Sequence, residues 1–177
     1  MANLSVRLVD GNLDVRSGSR TLLAIPSMDH PDFQRILSRG WVSPPSFGPA
    51  GDLRIYSAAH TAPGEQRYSW FASADWRRGR LQVDRRGAIS DIAMAPYGAG
   101  KGKLRGDTVE VVPDYARGSI ALTVNDDHSA LGRWTHDSLE LASDEGSSHV
   151  VDEPFGCALF LWCARPEGFL VRAKPPF

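Results

Sequence analysis

The feature that most limits what this chain can fold into is its rhythm. Short apolar runs, many of them alternating with polar residues, are broken by Gly, Pro, Asp or Asn at intervals of roughly 8 to 15 residues. Successive side chains of a strand point to opposite faces, so each such run buries one face only and needs neighbours to do it. Leu4–Val9 alternates, Asp10-Gly11-Asn12 follows, and Leu13–Arg16 alternates again, which reads as a hairpin. Further strands are predicted at Thr21–Ile25, Leu53–Ala58, Tyr68–Ala72, Arg80–Asp84, Ala88–Ala93, Thr108–Val112, Ser119–Val124, Leu139–Ala142, Phe155–Cys163 and Phe169–Ala173. On the order of ten strands at this spacing make a sandwich or barrel.

Helix signal is confined to His30–Arg39. Asp29 suits its cap, Pro31 its first turn and Gly40 its stop, with Phe33, Ile36 and Leu37 at helical spacing. Ser43–Asp52, Gly98–Gly106 and Asp144–Glu153 read as loops rather than linkers, because the strand texture resumes around them. The expectation is one domain over residues 1–177, long enough for a sizeable core. Apolar residues are 42% and charged residues 23%, which is globular rather than disordered composition. A net charge of −1 lacks the basic excess of a nucleic-acid binder. Met1–Val9 has no signal-peptide pattern, and no apolar run reaches the roughly 20 residues of a membrane helix. Cys157 and Cys163, six apart on a predicted strand, would lie roughly 20 Å apart and not bridge. These readings place the chain in the cytoplasm, away from membrane and nucleic acid.

One stretch carries a more specific pattern. Gly106-Asp107 is followed by Asp114, then Gly118, then the alternating Ile120, Leu122 and Val124, which close on Asn125; Leu131-Gly132 comes after. Physically this is a hairpin, with Gly118 free to take positive φ in its turn. The spacing resembles the SPRY family, the concanavalin-like modules also called B30.2 domains. Pro154–Cys163 and Gly168–Arg172 look like that family's last two strands, whereas Tyr68-Ser69-Trp70 only echoes its central strand and the first half departs from it. A divergent member and another concanavalin-like sandwich both stay open. The resemblance implies a two-sheet antiparallel β-sandwich of jelly-roll type and a non-catalytic protein-interaction module, of the kind found in adaptors. It assigns no binding residue.

Motifs for chemistry are missing or incomplete. His30, His60, His128, His136 and His149 lack helical metal-site spacing, and His128 and His136, with Asp126, Asp127 and Asp137 nearby, read as polar turn residues. No Gly-x-Ser-x-Gly elbow occurs, and Gly98–Lys103 is not a phosphate-binding loop. No metal, no cofactor and no catalytic residue is expected. The enzymatic alternative is a carbohydrate-active or other hydrolytic sandwich, drawing paired carboxylates from Asp75, Asp84, Asp91, Glu110 and Glu140. A stand-alone inhibitor or immunity-type binder is a third reading.

For binding, the candidates are Trp76, Arg77 and Arg78 in one turn and Tyr97, Lys101 and Lys103 in another loop, with Arg85-Arg86 in a turn between them. Aromatic and Arg side chains dominate interface hot spots. Brought to one end of the sandwich, they would suit an acidic peptide or protein. The competing reading tucks Trp76 into the core.

Overall fold

Alternation along the strands translates into one-sided burial. In Asp107–Asp114 (β10) Val109 and Val111 are buried while Val112 is exposed, and in Ser119–Val124 (β11) Ile120, Leu122 and Val124 are buried. The two pair antiparallel with Val111 opposite Leu122, so their apolar faces coincide. The structure, a computed structural model, describes residues 2–9, 12–25, 42–47, 53–62, 65–85 and 88–164. The predicted helix at 30–39 and the predicted strand Phe169–Ala173 lie outside these residues. The remaining strands are β1 (Ala2–Val9), β2 (Asn12–Ser17), β3 (Arg20–Ile25), β4 (Val42–Phe47), β5 (Leu53–Ala62), β6 (Glu65–Asp75), β7 (Arg80–Arg85), β8 (Ala88–Met94), β9 (Gly100–Leu104), β12 (His128–Trp134) and β13 (Ser138–Ser143).

Where two sheets are expected, the described strands form one 13-stranded antiparallel sheet, in the order β3-β2-β1-β13-β12-β11-β10-β9-β8-β7-β6-β5-β4. From β4 to β13 it is an uninterrupted meander, and β1 then lies against β13. Period-two patterning is the same for a wall of one curled sheet and for a face of a sandwich, so the pattern alone does not separate them.

The larger correction concerns Phe155–Cys163. It is not a strand but the body of a helix, Glu153–Ala164 (α1). A short continuous apolar run is ambiguous between the two states, and composition decides it here. The run contains no β-branched residue, and it follows Asp152-Glu153-Pro154. Asp152 Oδ1 accepts the backbone N–H of Phe155 at 3.2 Å, a helix N-cap, and Pro154 sits in the first turn. Every residue from Pro154 to Ala164 is buried. A helix apolar on all sides must be enclosed.

The sheet supplies the enclosure. The helix packs against β5, β6 and β7 and also against β12, β13 and β1, groups that β8–β11 separate in the sheet order. One straight helix touches both only if the sheet curls around it. The two outermost strands, β3 and β4, are themselves in contact. Leu4, Val6, Leu13, Val15, Ala72, Leu81, Ile92, Val109, Leu122 and Leu139 join Phe155, Phe160 and Trp162 in one hydrophobic cluster. Gly156 permits the close approach of helix to β1, since a methyl group there would collide with the Leu4 side chain. Cys157 and Cys163 lie inside the cluster unbridged. Six helical residues set them about 9 Å apart, nearer than a strand would but still beyond disulfide reach.

Two segments read as loops contain strands. β4 opens Ser43–Asp52, and β9 occupies Gly98–Gly106, where glycines at 100 and 102 hide any apolar alternation; pairing with β8 and β10 on both sides makes it a strand. His128–Trp134 likewise joins the sheet as β12.

Candidate functional site

An up-and-down meander sends alternate turns to the same end. The turns after β6 (76–79), β8 (95–99), β10 (115–118) and β12 (135–137) therefore share one rim, here called the upper rim. The turns after β9 and β11, and the segment leading into α1, lie at the lower rim. The helix starts at the lower rim and ends at the upper one.

The lower rim fastens the start of the helix. Asp152 accepts two bonds from Arg85 Nη2 at 2.6 and 2.7 Å and pairs with Arg105 at 3.2 Å. Asp144 accepts the backbone N–H groups of Ser129 and Ser147 at 2.9 and 2.8 Å, and His128 lies 3.6 Å away. The Ser129 N–H, first, then Ser147 and the His128 ring hold the Asp144 carboxyl down to about 2. Asp107 bonds Asn125 Nδ2 at 2.8 Å and His149 Nε2 at 2.6 Å, and both hold its carboxyl below the usual range, Asn125 more strongly.

The upper rim is aromatic. Trp76 stacks on Trp162 with ring centroids 6.1 Å apart and planes 25° apart, and its indole N–H donates to the Trp162 carbonyl at 3.3 Å. Trp162 Nε1 donates to the Tyr115 hydroxyl at 2.8 Å. Tyr115 stands edge-on to Trp134 (5.8 Å, 71°) and to Tyr97 (5.7 Å, 71°). The contacts run unbroken from the buried end of the helix to Tyr97, which is 76% exposed. Tyr97 also holds a φ of 54°, a left-handed backbone that costs a tyrosine energy and turns its ring outward from the 95–99 turn. Exposed Arg77, and Arg78 and Arg117 with side chains 74% and 84% exposed, lie in the same turns as Trp76 and Tyr115. Arg78 and Arg117 are each held by the carboxylate that shapes their turn, Asp75 and Asp114 respectively.

Of the sequence candidates, Trp76, Arg77, Arg78 and Tyr97 meet at this rim. Trp76 does so half-buried, packed against the edge of the core rather than inside it. Lys101 and Lys103 do not belong to the same loop. They are exposed on the outer wall of β9, where Lys101 faces Glu110 and Lys103 faces Thr108 across the β9–β10 ladder. Tyr115, Trp134, Trp162 and Arg117 were not among the candidates. A signal for two of them exists: Tyr115 and Trp134 continue Trp76 and Tyr97 at intervals of about twenty residues, the length of two strands with their turns.

Other chemistry-bearing groups are dispersed. Asp84, Asp91, Glu110 and Glu140 lie on β7, β8, β10 and β13, on positions that alternate with the buried ones, and Glu140 is bonded to Arg7. Buried Asp75 caps the 76–79 turn. Among the described residues no three His, Cys, Asp or Glu side chains converge as metal ligands, and His128, His136 and His149 each face a different Asp. Burial, with Glu153 and Asp152 adding, pushes the Cys157 thiol well up, which keeps it protonated and unreactive. Among the described residues no helix is long and apolar enough to cross a membrane. A groove of about 600 Å³ on the outer wall runs between Asn3, Ser5, Arg7, Leu131, Arg133 and Glu140. No protein family, curated protein or solved structure matches the chain.

Proposed function

We propose that this chain is a non-catalytic recognition module that binds a protein or peptide at its upper rim. The observation that carries the reading is the aromatic series from Trp162 to Tyr97: an exposed ring, set by a strained backbone, resting on rings anchored to the buried helix. Rigid aromatic anchors beside Arg side chains are what interface hot spots are made of. The spacing from Gly106 to Asn125 that resembles the SPRY family points the same way. Its residues form the hairpin punctuation here: Asp114 caps its turn, Gly118 takes a φ of 63°, and Asn125 ties the β11–β12 turn to Asp107 and Thr108. Pro154–Cys163 lends that resemblance no support, being a helix. Thiol-form Cys157 and Cys163 fit a reducing compartment such as the cytoplasm.

Affinity capture from the source cells tests the site, using the wild type, the double variant Arg77→Ala/Tyr97→Gly and the outer-groove variant Leu131→Ser. Glycine suits the left-handed φ at position 97, so the ring is removed without loading the turn. The rim variant should lose the captured partners while Leu131→Ser keeps them. Retention by the rim variant, or loss with Leu131→Ser alone, would move the site off the rim.

A further inference from the structure

We infer that two copies of this chain pair through the outer wall around β12 and β13, on a two-fold axis that runs between these strands and parallel to them. The contact lies on the wall and leaves both upper rims clear, so it stands or falls apart from the rim reading.

Side chains that face outward alternate with the buried ones, and the ladder register sets which of them lie level. Val112, Ala121, Leu131 and Ala142 stand directly opposite one another on β10, β11, β12 and β13. They make an apolar row across four neighbouring strands, with Leu131 66% and Val112 45% exposed. Leu131 and Ala142 both line the groove of about 600 Å³ on this wall. The next outward row is polar and charged. It runs Asp114, Ser119, Arg133, Glu140, Ser5 and Arg16, from β10 across to β2.

These rows are self-complementary, as an isologous contact requires. A two-fold axis parallel to the strands keeps each side chain at its height and reverses the strand order. Set between β12 and β13, it lays β12 of one copy over β13 of its partner. Leu131 then stands over the partner's Ala142, a large side chain over a small one, and symmetry repeats the pair. Arg133 stands over the partner's Glu140, also twice. At the margin Asp114 meets the partner's Arg16. No neighbouring position of the axis does this. On β12 it would set Arg133 on Arg133, and on β13 Glu140 on Glu140. Between β11 and β12 it would set Glu140 on Asp114, and between β13 and β1 Arg133 on Arg16. Arg133 is exposed, and the Glu140 side chain stays 58% exposed although Arg7 bonds it. A carboxylate has two oxygens and can accept a second guanidinium. Facing sheets pack about 10 Å apart, a gap that Leu and Arg side chains fill. The wall is convex, so the contact centres on β12 and β13 and is small, which makes a weak dimer.

Sedimentation equilibrium of the full chain from about 5 to about 500 μM tests the pairing. The wild type should show a monomer–dimer equilibrium in this range. Leu131→Ser, Arg133→Glu and Glu140→Arg should each weaken it at least about tenfold. Two Arg133→Glu copies set acid on acid, and two Glu140→Arg copies set base on base. A mixed dimer of the two variants restores both opposite-charge pairs, so their equimolar mixture should associate at least about tenfold more tightly than either alone. Mixing leaves the fold of each chain unchanged, so this gain reads the contact between copies and not the stability of a variant. A wild type that stays monomeric throughout leaves the face to another occupant and overturns the inference. A dimer indifferent to the three variants, or a mixture no tighter than its components, puts the contact elsewhere and overturns it too.

Discussion

Asn125 shows how much a single turn residue carries in this fold. Its backbone sits at a φ of 53°, its side-chain oxygen accepts the Thr108 N–H at 2.9 Å, and its amide donates to Asp107. Asn125→Ala removes both bonds and keeps the strained φ, and should cost about 1–2 kcal/mol in a denaturant titration. Its neighbour Asp126 has a φ of 63°. Asp126→Gly should gain about 0.5–1 kcal/mol, because glycine takes that conformation freely in this three-residue hairpin loop. An unchanged midpoint in both would remove the turn's role. Acid stability belongs to the same scale. With its carboxyl at about 2 against an ordinary 3.8, Asp144 is protonated in the unfolded chain before the folded one. It therefore stabilises the fold above about pH 4, and that contribution fades as pH falls towards 2. Asp107 and Asp137, also held low, act in the same direction. Chemical denaturation at stepped pH should show the wild type weakening over this window and Asp144→Asn weakening less steeply; parallel curves would contradict the assignment.

Among the elements, the helix is where packing and the rim meet. Trp162 is 1% exposed, stacks on Trp76 and bonds Tyr115. Trp162→Ala should cost about 3–5 kcal/mol by opening a cavity. Trp162→Phe keeps one aromatic ring but loses the N–H and part of the buried indole volume, and should cost about 2 kcal/mol while loosening Tyr115, read as a change in Tyr97 and Tyr115 ring shifts. The strands were largely legible, because Leu4–Val9, Arg80–Asp84 and Ser119–Val124 each bury one face and the alternation states which. The helix was legible only at its start. Asp152-Glu153-Pro154 is a capping signature, but the apolar run behind it lacks the polar face that identifies surface helices. β9 was hidden because Gly100 and Gly102 contribute no side chain to a pattern, which also sent Lys101 and Lys103 to the wrong surface. Trp76, Arg77, Arg78 and Tyr97 entered the candidates by residue type, and their turns share the upper rim. Tyr115 and Trp134 were missed because their approach depends on which turns share an end, a property of the meander rather than of any segment.

For the whole molecule, the described residues form a single sheet curled around one buried helix, with one shared hydrophobic core. Sheet and helix should melt in one transition, with far-ultraviolet dichroism and tryptophan emission coinciding. The upper rim depends on that arrangement, since its rings are anchored through Trp162 to the end of the helix. Native-state hydrogen exchange of the α1 amides, from Gly156 to Ala164, against those of Val111, Leu122 and Leu139, tests it most directly. The helix should exchange only through global unfolding, with the same free energy and denaturant dependence as the central strands. Helix amides that exchange at much lower free energy than the strands would place α1 on the surface and contradict both the enclosed helix and the rim built on it.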